Sequence, residues 1–238
     1  MRISIIIPSY NEEKYLGATL TRIQEAIQVY GDKDNVEIIV SDNGSTDQTG
    51  DIAEQYGALV VSEPNRQIAR ARNAGARKAT GEYLIFTDAD TLINRNIIKR
   101  VDELLSDEKI IGGGAFAVFD QYWDAKLISR MINYCCLLFN KSWGAFLYCK
   151  RETFEAIGGF DESLYGLEEV VFASALSKKA RTAGMKFKII SDMTNVTSAR
   201  RLGSRWQVLK TRLPFVWRTR SKIRDRKKCG PIWYDVDR

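Results

Sequence analysis

Asp88 and Asp90, one alanine apart at the end of the apolar run Tyr83-Leu84-Ile85-Phe86, form the first candidate reactive pair in the chain. Two carboxylates this close raise one another's pKa unless a cation neutralises them. Hard oxygen ligands at this spacing suit Mg²⁺ or Mn²⁺ bridging to a diphosphate. The same spacing also occurs as a turn or capping pair at a strand end, so the neighbouring residues must decide. A second acidic pair, Glu168 and Glu169, opens a helical stretch, where the helix dipole alone already favours carboxylates. Arg66, Arg70, Asn73 and Arg77 fall at i, i+4, i+7 and i+11 and share a helix face, with Ile68, Arg72, Gly75 and Ala79 on another. Either some of these cations meet a diphosphate beside Asp88 and Asp90, or they form a solvated basic face. Gly112-Gly113-Gly114 lacks the following Gly-Lys-Ser/Thr of a phosphate loop. Its small residues instead allow a backbone or a sugar to approach closely.

Positioning these groups calls for a sheet. Ile3 to Ile7, stopped by Pro8, reads as a first buried strand. Asn11 stands as N-cap of a helix from Glu12 to Tyr30, whose Leu16, Leu20, Ile23 and Ile27 line one face. Val36 to Val40 is a second strand, followed by the oxygen-rich turn Ser41 to Asp47 and a helix to Tyr56. Leu59 to Val61 is a third strand, and residues 66–79 are helical. This repeated strand-loop-helix order predicts an α/β fold whose amino half is a parallel sheet with flanking helices. Ligands bind outside the carboxyl ends of such strands, where Asp88 and Asp90 sit. Further on, a helix from Asn96 to Leu105, a strand from Ala115 to Phe119 and a late strand from Phe187 to Ile190 are expected. Residues 121–149 read as a core helix and strand, or else as an apolar wall near an acceptor or a membrane surface.

The 238 residues suffice for one large domain, or a domain with an appendage. With no histidine, Ser-His-Asp and Cys-His nucleophile sites and histidine metal sites are excluded. The cysteines at 135, 136, 149 and 229 lack zinc-site spacing and read as reduced thiols. Met1-Arg2 leads straight into a strand, so no secretory signal is expected, and no apolar run reaches the length of a membrane span. The net charge of +6 hides an asymmetry, because residues 199–228 hold 12 Lys/Arg and one acidic residue. Trp206, Leu209 and Leu213 share a helical face there, with Pro214, Phe215 and Trp217 beyond. That pattern fits either peripheral binding to an anionic membrane or a solvated basic helix docked on the body.

Five segments, taken in order, resemble family 2 glycosyltransferases of the GT-A fold. They are Ile5 to Glu12, Ser41 to Asp47, Ala71-Arg72-Asn73 with Gly81 to Asp90, Gly158 to Glu162, and Glu168-Glu169. The resemblance covers residues 3–200. It implies a Rossmann-like, mostly parallel sheet flanked by helices, with residues 1–200 as the nucleotide-sugar-binding and catalytic domain. Residues 201–238, beyond the resemblance, read from their charge and apolar pattern as a basic, amphipathic, helical C-terminal extension. The implied activity is transfer of a hexosyl-type sugar, with inversion, from a nucleotide diphosphate sugar to an acceptor hydroxyl. A UDP-linked donor and a lipid-linked or cell-envelope glycan acceptor are expected. By the same resemblance Pro8, Tyr10 and Glu12 shape the nucleoside pocket, and Asp42 accepts a hydrogen bond from the base. Arg66 and Arg72 lie on the donor side near the phosphates. Asp88 meets the ribose or the metal, and Asp90 binds Mg²⁺ or Mn²⁺. Glu169 stands where the family's catalytic carboxylate stands, and its neighbour Glu168 is the second catalytic candidate.

Two departures from the family pattern matter. The base position often carries aspartate, and here it carries glutamate. Many relatives place a metal-binding histidine after the late strand, where this chain offers Asp192 or Ser198, or else Arg200 and Arg201 acting directly on the diphosphate. The expected location is cytoplasmic, at the inner face of a membrane, with no nucleic-acid partner. The rival readings are an inert sugar-nucleotide-binding or scaffold protein and a nucleotidyltransferase. The latter lacks a Gly-rich, Lys-bearing loop after the first strand.

Overall fold

The structure, a computed structural model, describes residues 2–120, 123–139, 142, 144–200 and 223–229. Its strands are β1 (Ile3–Ser9), β2 (Val36–Asp42), β3 (Leu59–Ser62), β4 (Tyr83–Thr87), β5 (Thr91–Leu92), β6 (Ile110–Phe119), β7 (Phe146–Lys150) and β8 (Lys186–Thr197). Its helices are α1 (Leu16–Tyr30), α2 (Thr49–Gln55), α3 (Ile68–Lys78), α4 (Ile97–Leu105), α5 (Trp123–Phe139), α6 (Arg151–Ile157), α7 (Glu168–Thr182) and a single turn, α8 (Arg226–Cys229). The strands join one sheet in the order β3-β2-β1-β4-β7-β6-β8-β5.

The first half follows the parallel expectation: β1 pairs with β2 and β4, and β2 with β3, all parallel. Ile3, Ile5, Ile6 and Ile7 are fully buried, which is why this strand reads as a continuous apolar run rather than an alternating one. One face packs on α1 and α4 through Leu16, Leu20, Ile23, Ile97 and Val101. The other packs on α3, α6 and α7, where Phe86 contacts Phe154, Phe160 and Phe172.

Several local expectations are corrected. The first helix starts at Leu16, not Glu12, and Asn11 does not cap it. Asn11 adopts a left-handed φ of 51°, and its side-chain oxygen accepts from the Thr46 N–H at 2.8 Å, tying the first loop to the second. β7 runs antiparallel to both β4 and β6, so the sheet is mixed. β6 begins at Ile110 and includes all three consecutive glycines. Its partners leave no room for side chains: a Cβ on Gly113 would stand 1.7 Å from the Lys188 carbonyl oxygen, and one on Gly114 1.9 Å from Ser142 Oγ. Close packing by the neighbouring strands and by the Ser142 side chain, not a sugar, accounts for these glycines. The predicted tail pattern from Trp206 to Trp217 lies outside the described residues. Residues 223–229 return to the body, where the Tyr165 N–H donates to the Ile223 carbonyl at 2.7 Å. Among the described residues, no helix is long and apolar enough to cross a membrane.

Candidate active site

The loops that follow β1, β2, β4 and β8 all leave the carboxyl end of the sheet, and they meet the N-terminus of α7 there. Tyr10 and Glu12 come from the first of these loops and Asp42 from the end of β2. Asp88 and Asp90 follow β4, and Arg200 follows β8. The Glu12 backbone N–H donates to Thr49 Oγ1 at 2.8 Å, which ties the first loop to the start of α2, and Asp42 Oδ1 accepts from the Ser45 N–H at 3.0 Å within its own loop. Pro8 sits in β1 in register with Ser41 of β2. The Arg66 guanidinium lies over the Tyr10 ring, 3.9 Å from its centroid. That contact is a cation–π pair that fixes both side chains.

Arg72 is the central connection. It is buried, and its two Nη atoms part: Nη2 donates to Asp88 Oδ1 at 2.9 Å, and Nη1 donates to Glu168 Oε1. Burial alone would lower its pKa, but the Glu168 and Asp88 carboxylates more than offset this and hold it firmly cationic. Its neighbours on the predicted basic face behave differently. Arg70 and Arg77 approach Glu162 at 3.6 Å each, and Asn73 Nδ2 donates to Glu162 Oε1 and to the Phe160 carbonyl. That face therefore clamps the Gly158–Glu162 turn, and the arginine that reaches the acidic cluster lies on the other face.

A second ionic group forms around Arg200. Its Nε and Nη2 atoms each lie 3.0 Å from Asp90 Oδ2, Nη2 also meets the buried Glu12 carboxylate, and the guanidinium stacks over Tyr15 at 4.2 Å. Asp120 supports this arrangement: its backbone N–H donates to the Thr197 carbonyl, and its Oδ1 accepts from the Ala199 N–H at 2.9 Å.

Glu169 is half-buried in the first turn of α7. Burial, reinforced by the adjacent Glu168 charge, pushes its pKa up to about 8, while Arg72 pulls it down. Gly144 packs against it, so close that a Cβ there would stand 3.1 Å from Glu169 Oε1. Gly144, Tyr15, Asp120 and Gln67 were not singled out from the sequence. Gln67 ties the two halves together: its N–H donates to Asn43 Oδ1, and its Nε2 donates to the carbonyls of Glu162 and Leu164 at 2.6 and 2.8 Å. The Ser-Trp-Gly-Ala segment around Gly144 carried no usable signal in the sequence; the structure gives that glycine a positive φ of 55°. The rest are long-range pairings without a local pattern.

A divalent ion was expected on Asp88 and Asp90. Each of these carboxylates is already engaged by an arginine, and the described residues contain no group of three His, Cys, Asp or Glu arranged to hold a metal. Mg²⁺-type ions, however, are commonly held by one or two carboxylates together with substrate phosphates. The aspartate pair fits an ion that arrives with a diphosphate.

The fold and the site define a class: a GT-A-type α/β domain with an acidic, arginine-bridged cleft at the carboxyl end of its sheet. The chain belongs to glycosyl transferase family 2, whose model matches residues 4–165. It is 33% identical over 147 residues to a Haemophilus influenzae protein named as an uncharacterized glycosyltransferase, a match covering 57% of this chain and 56% of that protein. It is 36% identical over 121 residues to the poly(ribitol-phosphate) beta-N-acetylglucosaminyltransferase TarS of Staphylococcus aureus, covering 47% of this chain and 21% of TarS. The chain thus accounts for less than two thirds of the length of these relatives. Among solved structures, residues 1–349 of S. aureus TarS superpose with a TM-score of 0.65 at 21% identity, over 84% of this chain and 61% of that one. The mannosyltransferase PcManGT of Pyrobaculum calidifontis, in complex with GDP-Man and Mn²⁺, gives 0.65 at 21% identity, over 98% of this chain and 69% of that one.

Proposed function

We propose that this chain is an inverting glycosyltransferase that moves a sugar from a nucleotide diphosphate sugar, UDP-linked in the first instance, to the hydroxyl of a glycan or lipid-linked acceptor. The observation that carries this reading is the Arg72 bridge. One buried guanidinium joins Asp88, on the donor-side turn, to Glu168, the neighbour of the base. Donor and acceptor groups are thereby set a fixed distance apart. Glu169 takes the proton from the acceptor hydroxyl as its oxygen attacks the anomeric carbon. The bond from that carbon to the diphosphate breaks on the opposite face, in the manner of other single-base inverting displacements. Glu168 holds Arg72 and does not itself act on substrate.

On the donor side, Tyr10, stacked by Arg66, and Asp42 receive the nucleoside, with Pro8 and Glu12 shaping the floor. Arg200 supplies a fixed cation to the departing diphosphate. Asp90, with Asp88, would hold Mg²⁺ or Mn²⁺, and such an ion would add charge neutralisation at the leaving group. Residues 1–200 carry both substrate sites in this reading, with residues 201–238 as an extension, of which Ile223 accepts a hydrogen bond from the Tyr165 N–H. PcManGT with GDP-Man and Mn²⁺, and TarS solved in complex with UDP-GlcNAc, share the fold and are compatible with this assignment.

The test is calorimetric titration with UDP, GDP, ADP and CDP, with and without Mn²⁺. Because Arg200 already engages Asp90, Mn²⁺ alone is expected to bind weakly, and Mn²⁺ with one preferred nucleotide at least about 10-fold more tightly. Nucleotide binding that is unchanged in EDTA would assign charge neutralisation to Arg200 alone. Folded protein that binds no nucleotide would overturn the transferase reading in favour of an inert scaffold.

A further inference from the structure

Helix α5 buries one side and leaves the other bare. On the inner side, Ser129 Oγ accepts from the Phe119 N–H at 3.0 Å, and Asn133 Nδ2 donates to the Ala117 carbonyl at 3.0 Å. Cys136 is buried and Ile132 packs on the core, so these four residues, at i, i+3, i+4 and i+7, hold the helix down. On the outer side, Leu127 is 51% exposed, Met131 64%, Tyr134 62% and Leu138 61%. These fall at i, i+4, i+7 and i+11 and make one continuous apolar stripe. Large apolar side chains scattered singly over a surface are ordinary, whereas a contiguous row is a contact surface.

We infer that this outer face of α5 docks on an anionic lipid surface. Two observations favour lipid over another protein. The stripe is flanked by Lys126 and Arg130, both exposed and one turn apart. A helix with apolar residues in the centre and cations on its flank lies in a membrane interface, with tyrosine at headgroup depth. A parallel pairing of two copies through the same face would bring these like charges together. Cations beside an apolar stripe attract acidic headgroups over about a Debye length.

The consequence for catalysis rests on the transferase reading. Gly144, which packs on Glu169, follows the end of α5 by five residues. A helix lying at headgroup level places the base next to acceptors carried on lipid. Docking itself does not depend on that reading, so vesicle binding and nucleotide binding can fail separately.

The experiment is flotation of the purified full chain with vesicles of phosphatidylcholine alone or with 30% phosphatidylglycerol, a composition of about one anionic lipid in three. The wild type is expected to float with the anionic vesicles and to remain largely unbound with phosphatidylcholine. Met131→Glu with Leu138→Glu should lower the bound fraction by about 10-fold or more, since each buried apolar side chain is worth about that factor. UDP binding and the melting temperature should stay unchanged, because both side chains are exposed. Lys126→Ala with Arg130→Ala should reduce the preference for anionic vesicles and leave the apolar contribution in place. Flotation of the glutamate variant at the wild-type level would overturn the proposal, and so would a wild type that binds neither vesicle. A concentration-dependent dimer that the glutamate variant abolishes, without vesicle binding, would assign the face to a second copy instead.

Discussion

Glu169→Gln is expected to lower kcat by about 10³-fold, within the roughly 10²- to 10⁴-fold range of a general base, while nucleotide binding stays at the wild-type value. Glutamine keeps the shape and packs against Gly144 as glutamate does, but it cannot accept the acceptor's proton. The pH dependence supplies an independent readout. With its pKa pushed up to about 8 by burial and by Glu168, Glu169 is largely protonated at neutral pH. The wild-type kcat/KM should therefore rise through neutrality and level off above pH 8. Stability should move the other way. The native state holds a proton that the unfolded chain, with an ordinary carboxylate near 4.5, has already released. The folded state binds more protons between these two values, so stability falls as pH rises across that window. In Glu169→Gln both dependences should flatten. The adjacent carboxylates interact, so the profile belongs to the pair and not to one residue alone. A variant that binds donor normally and still transfers at the wild-type rate would remove Glu169 from the mechanism.

Legibility in the sequence followed the length scale of each feature. β1, β2 and β4 are mainly apolar, interrupted by Ser4 in β1 and by Glu37 in β2, which bond to each other, and all three match the sequence reading within two residues of their ends. The start of β6 was not read, because three glycines carry no strand pattern. Their reason is the Lys188 carbonyl and the Ser142 side chain, on other parts of the chain. The short helix α6 and the antiparallel direction of β7 were missed for the same reason: both depend on how distant segments dock. The acidic pairs were found from local spacing and the family resemblance together. What holds them was not found. Arg72 reaches Glu168 across 96 positions, and Arg200 reaches Glu12 across 188. The helical face that looked basic turned out to brace the Gly158–Glu162 turn. Patterning sorts residues onto faces, but it does not say which face meets an anion.

The Arg72 bridge makes a stability prediction separable from its effect on activity. Arg72 and Glu168 are both buried, with side-chain exposures of 5% and 3%, whereas Asp88 is 29% exposed. Replacing Arg72 by methionine leaves the Glu168 carboxylate in the interior without that cation. Breaking a buried pair from one side costs about 3–5 kcal/mol. For a chain of this size that corresponds to a fall in melting temperature on the order of 10 °C. Replacing both residues, Arg72→Met with Glu168→Leu, removes the buried charge together with its partner, and most of the lost stability should return. Transfer should not return with it, because the double variant no longer ties the donor-side turn to the base. Arg72→Lys should fall between the two: a single ammonium cannot fork to Glu168 and Asp88 as the planar guanidinium does. Arg72 also lowers the Glu169 pKa, so residual activity in Arg72→Met should require still higher pH. A single variant that melts within about 2 °C of the wild type, less than 1 kcal/mol for a domain of this length, would show that the bridge contributes little to stability. A double variant that regains both stability and turnover would show that the spacing between donor carboxylates and base is set elsewhere, by the Gln67 contacts to Asn43, Glu162 and Leu164. If the double variant regains stability alone, the two charges that pair in the interior are also the ones that align the reaction.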